Sequence, residues 1–509
     1  MCTNRLRCAS LMLLVLVFGS AACARSAETG FKPIFDGRSL NGWEGDKQFW
    51  RVEDGAVIGQ TTEEKPAKAN TFLIWNQAEV DDFELKLKYR ITSDWANSGI
   101  QYRSEHLGNY IVKGYQGDIE SGDNYSGILY EERGRGILAQ RGAKVVIGAG
   151  QKKGKVVGKT GDSKQLQSHI SKTDWNEYHL IARGNQIVHK INGHVMCEVT
   201  DENEADARRC GILALQVHQG PPMTIQFKDI RLKRLPMADK RKIVMIGGAP
   251  SHGYDTHEHN AGYLLLARYL NQNMPNVHAV VYRNGWPKDP TAFDNANAIT
   301  INCDGGGGHM MIPHLEEVDT LVKKGVGIGI LHYALIVPKG KPGNFLLNWI
   351  GGYHEEYWSV NPFWEADFKS LPQHPVTRGV KPFKIQDEWY YHMRFAKDMA
   401  NVTPILTAVP PDATRQGRDG PHSGNQYVRA RMGMPEHVAW IYDRPDGGRG
   451  FGFTGCHWHQ NWANDDFRKI VLNALAWIAG ADVPPNGVPS RTPTPQELEA
   501  NQDYPKPKK

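Results

Sequence analysis

Two hydropathy patterns divide the chain near residue 237. Over 31–235, apolar and polar positions alternate in short runs. In 82–91, Phe83, Leu85, Leu87, Tyr89 and Ile91 alternate with Glu84, Lys86, Lys88 and Arg90, which predicts a half-buried strand. Residues 175–199 hold two hairpin signals, Gly184-Asn185 and Asn192-Gly193, each between alternating runs. Strands are also expected at 211–218 and 224–235. Many short strands, Gly/Asn turns and no long helical pattern predict an antiparallel two-sheet β-sandwich.

Beyond residue 237, apolar strand runs at 242–247, 277–282, 298–302, 326–331 and 448–453 alternate with helical patterns at 261–270, 315–324 and 465–478. This is the signature of an α/β domain with a parallel sheet, whose functional residues gather at the C-terminal ends of the strands. Those ends carry SHGYDTHEHN, NCDGGGGHMM, HYAL and GCHWHQNW. After residue 481 the chain becomes Pro-rich and closes on PKPKK, which predicts an extended or disordered tail over 483–509. The expected domains are therefore 29–236 and 240–482.

Length supports this division, since 509 residues exceed one ordinary domain. The balance of 60 basic and 55 acidic residues gives a net charge of +5, too near neutral to indicate a nucleic-acid partner. Arg5 and Arg7 precede the apolar run 11–18 and small residues through Ala24, so residues 1–24 read as an export signal. Export would place the protein in the periplasm or at the cell envelope of a bacterium. Cys23 offers a lipid anchor as the alternative, and the membrane enters in no other way. Of the cysteines outside the leader, Cys197 and Cys210 are the pair to examine for a disulfide; four buried free thiols are the alternative.

Three strands of the first half break the expected polarity. Gln101 with Arg103, Gln116 with Asp118 and Glu120, and Gln216 with His218 would each share a face, and this mixture of groups suggests ligand binding. The motifs FDGRSLNGWEG, WRVEDGAVIGQ, NSGIQYRSE, GYQGDIE, WNEYHLIARGNQIVHKINGHV and GILALQVHQGPPMTIQFKDIRLKRL resemble, in order, the 3-keto-disaccharide hydrolase family. The resemblance implies a concanavalin-like sandwich (a jelly roll) acting on glycosides or oligosaccharides oxidised at C3, by hydrolysis or by elimination and hydration. A C3 ketone acidifies the C2 proton, so the reaction needs a base and a stabiliser for the enolate. Asp118, Glu120 or His218 could serve as base and Arg103 as electrostatic partner. Gln101, Gln116, Gln216 and Glu131 are expected to contact substrate, with Glu132 and Arg135 as secondary candidates. A carbohydrate-binding module without catalysis is the alternative.

In the second half, GGAPSHG with HEHNAG, CDGGGGH, GVGIGILHYA, IQDEWYYHMRF and GCHWHQNWANDDFRK resemble the ThuA-like (trehalose utilisation) family. The resemblance implies the class I glutamine amidotransferase fold, whose Cys nucleophile follows the strand matching 326–331. Here His332 occupies that turn, and Cys303 and Cys456 lie elsewhere, which argues against glutaminase chemistry. The Gly305–Gly308 run lacks the Lys-Ser/Thr of a phosphate loop, so no nucleotide cofactor is expected. Histidines at several strand ends have the composition of a divalent-metal site. His309, His332, His457 and Glu388 are the expected ligands, with His252, His259, Asp304 and His459 as neighbours and His257 the weakest candidate.

Overall fold

The computed structural model describes residues 28–507. The leader, with Cys23, lies outside the described residues. Over 28–235 two antiparallel sheets face each other. In the larger, Phe83–Ile91 lies between Asn176–Arg183 and Thr224–Arg234, and its burial alternates as its sequence does. The smaller sheet has seven strands, with Val112–Glu120, Asn97–His106 and Gly211–Val217 at its centre. Trp75, Leu85, Tyr102, Tyr115, Tyr178 and Val217 fill the space between the sheets. Removal of this apolar surface from water is the main source of the sandwich's stability.

The second half is built on a seven-stranded mixed sheet. Val277–Tyr282, Arg241–Gly247, Ala296–Asn302, Gly327–Leu331 and Arg449–Phe453 run parallel; Glu436–Asp443 and Val402–Ala408 complete one edge antiparallel. Alternate residues of Arg241–Gly247 enter opposite cores. Ile243 and Met245 pack with helices His259–Asn273 and Asp465–Ile478, while Val244 and Ile246 face the side covered by Leu315–Val322 and Lys341–Ile350. Near-continuous burial of these strands explains their unbroken apolar runs.

Buried charge joins the two halves. Arg234 donates to Asp289 at 3.0 Å and to Asp81 at 3.3 Å, and Lys32 reaches Asp294 at 2.6 Å. A cleft of about 680 Å³ opens here. Its buried Lys242 is committed to the carbonyls of Ala292 and Asp294, so the charges serve the joint rather than a ligand.

Three expectations fail. Among the described residues Cys197, Cys210, Cys303 and Cys456 are all free, so no Cys197–Cys210 disulfide forms. The Pro-rich tail is ordered: Val488 is buried, and a short helix at Pro495–Glu499 starts with a capping box from Thr494 and Glu497. Past that helix, Asp503 accepts from Asn260 and its backbone N–H donates to Glu258, while Glu499 accepts from Tyr254. Finally, the strand Asn97–His106 does not alternate regularly. Its pairing slips between Tyr102 and Glu105, and Arg103 takes a left-handed φ of 45°.

Candidate functional site

A cleft of about 260 Å³ opens on the smaller sheet, lined in part by Asn97, Gln116, Asp118, Tyr130, Glu132 and Gln216, with His218 at its edge. Val112–Glu120 and Gly211–Val217 supply residues two apart that project to the same side, which brings Gln116, Asp118 and Gln216 together. Gln116 receives a bond from Gln101 at 2.5 Å and donates to Asp118 at 2.9 Å. Asp118 is only 6% exposed, and burial pushes its carboxyl up to about 7 against the Gln116 bond that opposes the shift. Burial also raises Glu132, while Asn70 holds it at 3.3 Å. Both amide atoms of Gln216 are buried without a protein partner, so the amide can read a ligand hydroxyl or carbonyl.

Other expected residues face elsewhere. The bulge turns Arg103 into the core, where it binds Asp82 at 2.8 Å and the carbonyls of Asp81 and Gly184 at 2.7 Å. It therefore does not stand beside Asp118. Glu131 pairs with Arg135 at 2.6 Å, and Arg135 also binds Asp201 at 2.7 Å, a buried structural network. Its neighbour Glu132 lines the cleft because adjacent strand residues point to opposite faces. Glu120 accepts from the backbone N–H groups of Asn124 and Tyr125 and closes that loop instead of lining the cleft. Tyr130, Asn97 and Asn70 were missed, and nothing in their local pattern marks them.

In the second half, His257, His332, His457 and Glu388 offer ligand atoms that all lie within 4.8 Å of one another. His332 sits directly after its strand with a left-handed φ of 52°, which aims the imidazole over the sheet's C-terminal edge. Its Nδ1–H donates to the carbonyl of Thr454 at 2.8 Å, leaving the Nε2 lone pair facing Glu388 at 3.5 Å. His457 Nδ1 lies 3.1 Å from Glu388 and 2.9 Å from His257 Nε2. Across the His257 ring, Nδ1 lies 3.4 Å from Asp304, a carboxylate that can orient the ring for ligation. His259 and Ser251 also converge on Asp304, at 3.3 and 2.8 Å, and hold it well below the usual carboxylate range against its desolvation. His252 stacks on His257 at 3.7 Å. Three imidazoles and one carboxylate, with second nitrogens fixed by a carbonyl and a carboxylate, fit a divalent transition metal.

His257 thus takes the place expected of His309. His309 is buried against Cys303 and bonds the carbonyl of Ala334 at 3.1 Å. The density of HEHN was the signal for His257, but only the fold shows which imidazole turns inward. His459 is also buried, behind the site under the tail. Asp387, next to Glu388, accepts from the N–H groups of Cys456 and His457 at 2.8 and 3.1 Å. It fixes the turn that presents His457.

Taken together, a sandwich with a polar cleft and an α/β domain with a strand-end histidine cluster define a two-domain protein of the carbohydrate-active class. Residues 30–233 match the family described as 3-keto-alpha-glucoside-1,2-lyase-like domain, and residues 253–478 match ThuA, trehalose utilisation. The chain belongs to both families, one domain to each. No curated protein sequence matches it significantly. Among solved structures, a Parabacteroides distasonis protein assigned as a glycosyl hydrolase is 18% identical, over 40% of this chain and 94% of its own, with a TM-score of 0.28. The Bacillus subtilis carbohydrate-binding module CBM66 is 12% identical over 38% and 95%, with a TM-score of 0.26. The alginate lyase Aly36B is 14% identical over 39% and 88%, at 0.25.

Proposed function

We propose that the chain cleaves 3-keto-glycosides in the sandwich cleft, with Asp118 as the base that removes the C2 proton. The observation that carries this reading is a carboxyl buried in a polar cleft and held near neutral pH, where a general base works best. Asp118 takes the proton as the C2–H electron pair forms the enolate of the C3 ketone. The enolate re-forms the ketone, makes a C1–C2 double bond and expels the C1 oxygen. Glu132, which burial favours in its protonated form, supplies that oxygen's proton. Water added at C1, with a proton returned to C2, gives net hydrolysis. Amide donors of Gln216 and Gln116 replace the cation expected at the enolate oxygen.

The histidine cluster supports a second centre, a divalent ion on His257, His332, His457 and Glu388. Bound there, an ion would act as a Lewis acid or activate water. The residues' own part is to hold it: Asp304 orients His257, and Thr454 fixes the tautomer of His332. The substrate class in both centres is a glycoside or its oxidised form. We assign the protein's place of action outside the cytoplasm on the leader pattern alone, which N-terminal sequencing of the mature protein would check.

The experiment compares the full chain with Asp118→Asn and Glu388→Gln on 3-keto-trehalose. Loss of cleavage in Asp118→Asn alone supports the sandwich reading. Cleavage retained in Asp118→Asn and lost in Glu388→Gln would transfer the reaction to the second domain.

A further inference from the structure

Behind Glu388 and Tyr390 lies a pair of histidines that neither proposed centre uses. His354 is fully buried, and neither of its ring nitrogens has a protein partner. Its ring lies 5.1 Å from that of His422 and 5.6 Å, edge to face, from that of Tyr390. His422 leaves its Nδ1 buried and unpaired as well. Tyr390 in turn stacks on His332 at 4.7 Å, and its hydroxyl reaches both His332 Nε2 and Glu388 at 3.3 Å. The recess is therefore continuous with the ion-binding cluster.

Its second wall is built by backbone. The loop bearing His422 is tied to the segment after His354: Asn361 N–H donates to the His422 carbonyl at 3.0 Å, and Tyr357 N–H to that of Pro421 at 2.9 Å. Asn361 also donates its side-chain amide to Glu388 at 3.1 Å. His422 is thus carried to Glu388 by a fixed path.

Three orphaned imidazole nitrogens in one buried place are costly unless something hydrogen-bonds them. We propose that His354 and His422 form a binding recess for a neutral polyol, taking adjacent hydroxyls of a sugar ring whose next oxygen reaches the ion-binding cluster. A neutral imidazole presents one donor and one acceptor, the complement of a hydroxyl, which is also both. Burial keeps His354 neutral, pushing it down to about 3. The carboxylate of Glu388 works against a phosphate or carboxylate ligand. The nearby cations are committed elsewhere, since Arg394 and Lys339 both bind Glu355 at 3.0 Å. The recess belongs to the second domain and does not depend on cleavage in the sandwich. It uses the proposed ion for only one contact.

The test follows the histidine ring 15N resonances of the zinc-loaded full chain while methyl α-D-glucopyranoside is added, with glucose 6-phosphate in parallel. The lines of His354 and His422, identified by their loss in His354→Phe and His422→Phe, are expected to move saturably. Each variant should weaken that binding about fivefold to tenfold, the effect of one lost buried hydrogen bond, with zinc content unchanged. Because His354 is deep in the core, His422→Phe at the rim carries the test if His354→Phe does not fold. Unmoved lines, unchanged affinity in His422→Phe, or tighter binding of the phosphate at these residues would overturn the proposal. A wild-type chain that takes up no zinc yet shows the same line shifts would sink the ion reading and leave the recess standing.

Discussion

Asp118→Asn should do two opposite things, and their combination is a sharp test of the sandwich cleft. A carboxyl raised from 3.8 to about 7 on folding binds a proton more tightly in the native state than in the unfolded one. The stability from that proton is fully present below about pH 4 and is lost as the pH rises through about 7. A shift of about three units corresponds to about 4 kcal/mol, and water entry reduces this to roughly 2–4 kcal/mol. At pH 8 the wild-type chain buries an ionised carboxylate on which Gln116 supplies one bond; asparagine avoids that cost. Asp118→Asn should therefore raise the melting temperature of the sandwich by roughly 5–10 °C at pH 8 and by little at pH 5. The same substitution should lower kcat about 10²–10⁴-fold, and wild-type kcat/KM should rise with pH through about 7 as the base ionises. Calorimetry at the two pH values, beside rates on 3-keto-trehalose, reads both effects. Equal melting shifts at pH 5 and pH 8 would mean that Asp118 ionises normally, and the argument for it as a tuned base would fall.

Four further outcomes are expected. Glu388→Gln and His257→Ala should lower the zinc content of the purified protein, measured by mass spectrometry, well below that of the wild type. Asp304→Asn should keep the cluster but weaken zinc affinity about 10–100-fold in a competition titration with a chelator, because it removes only the group that orients His257. Arg103→Leu should cost about 3–5 kcal/mol in denaturant unfolding, since it strands Asp82 without its buried partner. Deleting residues 494–509 should speed proteolytic cutting within 251–258, the loop whose Tyr254, Asp255 and Glu258 the tail engages.

Regular periodicity made much of the fold legible. The helical pattern at 465–478 matches the helix Asp465–Ile478, and the strand run 277–282 matches Val277–Tyr282, because in both the apolar spacing is enforced by packing over the whole element. Gln116, Asp118 and Gln216 were legible for the same reason: a strand of regular pleat puts alternate residues on one face. Arg103 was not, since one left-handed residue resets the alternation and leaves no mark in composition. The strand-end rule located the histidine cluster, including His332, Glu388 and His457. It could not choose between His257 and His309, both of which follow strands through irregular loops. That choice depends on backbone such as the left-handed φ of 50° at His257. The ordered tail was hidden because its proline content describes a free chain well, while its contacts are with residues more than two hundred positions earlier.

Those long-range contacts also set an order of events. His257 stands near the start of the second domain, His457 enters on the last strand of its sheet, and the strap over the His257 loop is made by the final residues described. A ribosome would release nearly the whole polypeptide before the four ligands could meet. For a chain threaded unfolded across a membrane, the ion would be chosen on the far side, by the metals of that compartment, and the closing strap would then slow its exchange.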